Sequence, residues 1–228
     1  MAGRVEDIES HSQIDGTLPN QPFSEEELKT MGVLDPSDTL FAISIFLGSQ
    51  RGGAETFIEG YSVTFQNPSG EISEIKFLRK SIVTFGDIDQ KIRSREEKRR
   101  YLSERGIRVP RFFGTKSGDI FEEFIESPVD VSSIVRSIDS NGQMNEDLIG
   151  QLSKIASVLD GEGFRPVSPG FLGDLVFDGK VFYFVDFGSD LGPPNPSQPN
   201  SVSINFLLGA FHNPKVRELL LKDYQAEL

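Results

Sequence analysis

The stretch "LVFDGKVFYFVDFG", residues 175–188, constrains the fold more than any other part of this chain. Two apolar runs flank Asp178-Gly179, a pair that favours the tight type I′ turn of a β-hairpin. The second run, Tyr183-Phe184-Val185, delivers Asp186 straight from an apolar strand. A carboxylate is costly to take out of water, so something is expected to use it. Asp174 stands at the other end of the hairpin, and a turn at 178–179 brings both acids to one side. Two converging carboxylates suit a hard cation such as magnesium, bound together with phosphates. The alternative for Asp174 is that it caps a turn.

The hairpin lies in the second half of a chain that changes character midway. Residues 1–22 are polar without periodicity and are predicted to be disordered. "FSEEEL" then offers Ser24 as helix N-cap, Glu27 as its capping-box partner, and Phe23 with Leu28 as a hydrophobic staple. That helix should stop near Gly32, so 1–38 reads as an N-terminal tail with a short helix. From Thr39 the pattern is strand-like: "LFAISIFLGS", "GGAETFIEGYSVTF" and "EISEIKFLRK", separated by turn signals. A charged helix over Ile88 to Arg105 follows, stopped by Gly106, with Ile88, Ile92 and Leu102 as its expected buried face. "IRVPRFFG" is extended around Pro110, and "DIFEEFIESP" is a further strand that exits into a linker near Glu126 to Val129. Residues 39–127 therefore form a small sheet with one helix. In 128–228, Leu148, Leu152, Ile155 and Leu159 share a stripe behind an Asn145 N-cap. A last helix starts at Asn213-Pro214 with Val216, Leu219, Leu220 and Tyr224 on its apolar face. The spacing predicts an α+β protein.

Composition excludes several chemistries. A net charge of −12 argues against direct nucleic-acid binding by the surface as a whole. The absence of Cys rules out disulfides and thiolate metal sites. With His11 and His212 alone, a histidine zinc site or a Ser-His triad is nearly excluded. The polar, acidic start is unlike a signal peptide. No apolar run approaches the roughly 20 residues a membrane helix needs. A cytoplasmic protein with a phenylalanine-rich core is the expectation.

A strand-rich half with one helix, a linker, and a helical half whose hairpin ends in Asp-Phe-Gly is similar in layout to the protein kinase-like fold. That resemblance implies a bilobal molecule, with a small antiparallel-sheet N-lobe at 39–127 and a reduced helical C-lobe at 128–228. It also implies an ATP and magnesium site. Lys76, in mid-strand among apolar residues, is the expected phosphate lysine, with Lys80 on the same strand face as the fallback. Glu96, on the flank of the helix's buried face, is preferred over Glu97 as the lysine's orienting anion. Lys76 is accordingly expected to reach Glu96 or Asp186. "GSQRGGAE" supplies Gly48, Gly52, Gly53 and Glu55 where a kinase folds a loop over the phosphates, although a plain hairpin turn accounts for the glycines equally well. Asp174 and Asp186 would hold the metal.

Within that superfamily the chain resembles the small atypical kinases: the kinase subunit of the KEOPS tRNA-modification complex, the RIO kinases and, more distantly, aminoglycoside phosphotransferases. "GGAETFIEGY", "SREEKRRYLSERGIRVPRFFG", "DIFEEFIESPVDV" and "INFLLGAFHNPKVRELLLKDY" carry the likeness, in that order. The chain departs from the family in its catalytic loop. The family's catalytic Asp stands five residues before the metal-binding position taken here by Asp174, and that place is Pro169. Ser168 is the nearest polar group, and Asp174 the other candidate to act as base. Two function classes follow: a nucleotide-binding phosphotransferase or ATPase, and a pseudokinase that works by binding a protein partner. A third reading is an acidic α+β interaction domain in which Asp-Phe-Gly is coincidence.

Overall fold

The computed structural model describes residues 22–51, 55–83, 86–127, 129–141, 145–166, 171–189 and 191–228. Five strands form one antiparallel sheet: β1 (Thr39–Arg51), β2 (Thr56–Gln66), β3 (Ile72–Ile82), β4 (Phe112–Lys116) and β5 (Asp119–Glu123), in the order β1-β2-β3-β5-β4. The helices are α1 (Glu25–Thr30), α2 (Ile88–Glu104), α3 (Val131–Asn141), α4 (Glu146–Gly161), α5 (Val202–Ala210) and α6 (Pro214–Glu227). A separate hairpin pairs β6 (Leu175–Phe177) with β7 (Phe182–Phe184). The protein is of the α+β class. Its chain divides into two compact units, one made of residues up to 44 with 62–75, the other of 45–61 with 76–228.

In the first unit the capping box forms as the sequence predicts: Glu27 N donates to Ser24 Oγ at 3.2 Å, and Ser24 N donates to the Glu27 carboxylate at 2.8 Å. Leu28 is fully buried, Phe23 and Val63 with it. Glu25 accepts from Leu40 N at 3.1 Å, fixing α1 to the start of β1. Gly32 ends the helix at φ +70°, a conformation glycine adopts without cost.

In the second unit a phenylalanine-heavy core gathers Phe164, Phe182, Phe184, Phe187 and Phe211 around Leu152 and Leu159 of α4. Of the stripes predicted for α4 and α6, Leu152, Ile155, Leu159, Val216, Leu220 and Tyr224 are buried there while Leu148 and Leu219 pack half-buried at its edge, and Asn145 and Asn213 are the N-caps. Asp160, without exposed surface, accepts from Ser203 N at 2.8 Å, Ile204 N at 3.0 Å and Tyr224 Oη at 3.2 Å. It joins α4 to α5 and α6, and it serves the N-terminus of α5, where the N-cap Ser201 makes no side-chain cap bond. Burial pushes the Asp160 carboxyl up against the pull of these bonds. Burial and then Asp160 itself push Tyr224 up to about 12.

Three local expectations need correction. The hairpin loop is centred on Gly179-Lys180, not Asp178-Gly179: Phe177 pairs with Phe182, and Asp178 N donates to Val181 O at 3.3 Å. Gly179 alone has positive φ, the pattern of a II′ rather than a I′ turn. The Asp178 carboxylate takes the Lys180 and Val181 amides, both at 2.8 Å, which fixes that register. On α2, Ile88 is exposed and the buried face is Ile92, Lys98 and Leu102. Finally, α3 and α5 are helices that periodicity had not marked. Val131, Ile134, Val135 and Ile138 do form a helical stripe, masked by serines, whereas α5 is apolar nearly all round and takes its cap from Asp160.

Candidate functional site

All the site residues described here belong to the second unit. β3 pairs with β5 so that Leu78 faces Glu122 and Lys80 faces Ile120. Alternation then puts Leu78, Lys80 and Glu122 on one sheet face. The Lys80 ammonium pairs with the Glu122 carboxylate, both side chains largely buried, and donates to the Val185 carbonyl at 3.3 Å. This is the carbonyl immediately before Asp186. Lys76 takes a different place. It pairs with the solvent-exposed Glu126 and lies 5.8 Å from the centre of the Phe46 ring. The expectation that Lys76 reaches Glu96 or Asp186 is therefore replaced: Lys80, the fallback, is the lysine beside the Asp186 strand. The reason is distance along β3. Four residues of strand separate the two ammonium stems by roughly 13 Å.

Glu96 is exposed on α2, yet it lines the same small pocket as Lys80, Glu122 and Val185. Arg99 closes that pocket, its guanidinium 4.8 Å above the Phe112 ring and its buried Nε without a hydrogen-bond partner. Burial holds Arg99 below its ordinary pKa, against the attraction of Glu96 and Glu122.

The hairpin behaves as its sequence implies at the backbone. Val185 N donates to Asp174 O at 2.8 Å, so Asp174, the last residue of a 3₁₀ turn over Phe171–Asp174, lies at the same end as Asp186. Asp186 Oδ1 accepts from Gly188 N at 2.8 Å and holds the chain in a tight turn after the strand. Gly188 leaves room there: a Cβ would lie 3.0 Å from Asp186 Oδ1, 3.1 Å from Arg95 Nη2 and 3.2 Å from Glu55 Oε2, so these side chains would have to shift by a few tenths of an ångström to admit one. Among the described residues, no group of three or more Asp, Glu or His side chains is placed to hold a metal ion.

Sequence reasoning missed the basic side of this site. Lys98 is buried and donates to Gly188 O at 2.8 Å, to Leu191 O and, more weakly, to Phe187 O at 3.4 Å. Burial and the neighbouring Arg95 lower its pKa, while Glu55 and Asp186 oppose that shift. Three residues earlier, Arg95 Nη2 donates to Glu55 Oε2 at 2.7 Å. The same carboxylate oxygen accepts from Ser189 N at 3.2 Å. Burial pulls Glu55 upward, but Ser189 and Arg95 outweigh it and hold the carboxyl below its usual range. The signal for these residues was present: Arg95, Lys98 and Leu102 recur at helical spacing on one face. Gly48 lies in β1 with open space around it. Gly52, Gly53 and Ser168 lie outside the described residues, as does Pro169.

No family model matches the chain. No curated protein matches it either. Among solved structures it is similar to the streptomycin–ATP–APH(2″)-IIa ternary complex, with 12% identity and a TM-score of 0.46, over 88% of this chain and 82% of that one. Among the described residues, no helix is long and apolar enough to cross a membrane.

Proposed function

We propose that this is a kinase-like protein that binds ATP with magnesium next to Lys80 and Asp186. The observation that carries the reading is the contact of Lys80, on the third strand, with the carbonyl just before Asp186. Glu96 of α2 in the same pocket supports it. A fixed ammonium, an acid on the facing helix and a carboxylate at a hairpin end are the parts that handle a polyphosphate. Asp174 and Asp186 fit a magnesium ion because that ion is usually held by one or two carboxylates, the remaining positions going to phosphate oxygens and water. The metal would neutralise phosphate charge. Lys80 would bind and orient the phosphates, and Glu96 would orient Lys80. Lys76 belongs to this reading only as a residue at the outer part of the strand.

A second reading, a pseudokinase that binds a protein partner, has its own support. Lys80 is already neutralised by the buried Glu122, and exposed Ile45 and Phe57 offer apolar surface on the sheet. In that reading neither Asp174 nor Ser168 acts as a base. One experiment separates the two. ATP with magnesium at a hundredfold excess over Kd stabilises the folded state by about 2.7 kcal/mol, a rise in Tm of roughly 5–10 °C for a chain of this size. Lys80→Met should abolish most of the rise, Asp186→Asn its magnesium-dependent part, and Lys76→Met little of it. A flat response in folded wild type eliminates the nucleotide reading. Phosphate release by the wild type, compared with Asp174→Ala and Ser168→Ala, then decides whether transfer occurs.

A further inference from the structure

Glu55 is a carboxylate seated in a cradle of donors. Arg95 Nη2 and Ser189 N both point at one of its oxygens, at 2.7 and 3.2 Å. The Lys98 ammonium is close enough to feel its charge. These groups line a cavity of about 230 Å³, whose wall also includes Ser94 and Gly188. The cavity is several times the volume of a phosphate group. A guanidinium and a backbone amide converging on one point, with the Lys98 ammonium held nearby by backbone carbonyls, are a donor set for a phosphoryl group. Glu55 stands two residues after Gly53, so the anion that now fills the cradle belongs to the chain itself.

We infer that the Arg95–Ser189 cradle is a phosphate-binding site whose resident carboxylate, Glu55, competes with the ligand. With Glu55 docked, the carboxylate ties the Phe187–Ser189 turn to α2. A phosphoryl group that displaces it takes over the bonds from Arg95 and Ser189 N and releases Glu55. The ligand class is a phosphate monoester, polyphosphate or free phosphate, since the donors read only the tetrahedral anion. The inference stands on the cradle's own contacts, whether or not ATP enters the Lys80 pocket.

A competing internal group lowers apparent affinity by the fraction of molecules in which the site is open. If the docked state is populated at about nine in ten, removing the carboxylate raises affinity about tenfold. The test is titration of the full chain with inorganic phosphate and, separately, with pyrophosphate and magnesium-free ATP. Calorimetry would be used at constant ionic strength, with chloride as control. Glu55→Gln should bind phosphate about tenfold more tightly than wild type, and Glu55→Gln/Arg95→Met should bind none. Because Glu55→Gln leaves Arg95 without its anion, its Tm is read as well, and phosphate should restore that Tm more than chloride does. Equal phosphate affinity in wild type and Glu55→Gln, or binding that survives Arg95→Met, overturns the inference. The two readings fail separately: loss of the ATP response alone, with the Glu55→Gln gain for inorganic phosphate intact, bears on the nucleotide reading and not on the cradle. Preference for ATP over pyrophosphate would identify a nucleotide as the source of the phosphoryl group; equal binding would identify the phosphate itself.

Discussion

Replacing Lys98 by methionine tests whether one buried ammonium organises the turn after Asp186. Methionine keeps the length of the stem and removes the charge. The structure shows two well-formed bonds to lose, to Gly188 O and Leu191 O, and a weak one to Phe187 O. Charge-assisted bonds contribute ~1.5–3 kcal/mol each, so the two together contribute ~3–6 kcal/mol. Against this stands the cost of burying the ammonium, visible in the lowering of its pKa. A net loss of ~2–3 kcal/mol is expected, or a fall in Tm of ~4–12 °C for a domain of this size. Urea unfolding gives the free energy, and hydrogen exchange at Gly188 and Leu191 should accelerate before any global change. The pH dependence supplies a sign. A lysine whose folded pKa lies below its unfolded value of about 10.5 loses the penalty on its charge as pH rises through the folded pKa. Wild type should therefore gain stability relative to Lys98→Met on approach to pH ~10.5. A Tm within roughly 1 °C of wild type, with unchanged exchange at the turn, would refute the reasoning.

Asp160→Ala should cost more, ~3–5 kcal/mol, because it strands buried donors on α5 and α6; denaturant unfolding measures it. Tyr224 holds its proton more tightly in the folded state, so its share of stability is complete below pH ~10 and is lost as pH climbs toward about 12. Tyr224→Phe should flatten that alkaline limb in thermal melts across the same range. Gly163→Ala should destabilise by more than ~2 kcal/mol, since Gly163 has φ +69° and a Cβ there would lie 2.1 Å from Asn195 O. A melt of this variant within ~2 °C of wild type would contradict the backbone clash.

Local chemistry was legible in the sequence where the partner lies a few residues away. The Ser24–Glu27 capping box, the Asn145 and Asn213 caps, the glycine stop at Gly106 and the stripes of α4 and α6 depend on spacing alone. So does the hairpin that brings Asp174 and Asp186 to one end. The choice between Lys76 and Lys80 was not legible. Alternation puts both on one face of β3, and their surroundings are set by distant residues: Phe46 and Glu126 for Lys76, Glu122 and the Val185 carbonyl for Lys80. α5 lies in the stretch whose resemblance implied closing helices, but its own start carries no capping signal, because its cap comes from Asp160, 41 residues upstream of its N-cap position Ser201. Lys98 was not singled out because lysine is seldom buried without a partner, and its partners are three carbonyls that no side-chain pattern records. Periodicity fixes which face a residue is on; only the tertiary structure brings the distant backbone groups and carboxylates that decide whether a charge on that face is solvated, neutralised or put to use.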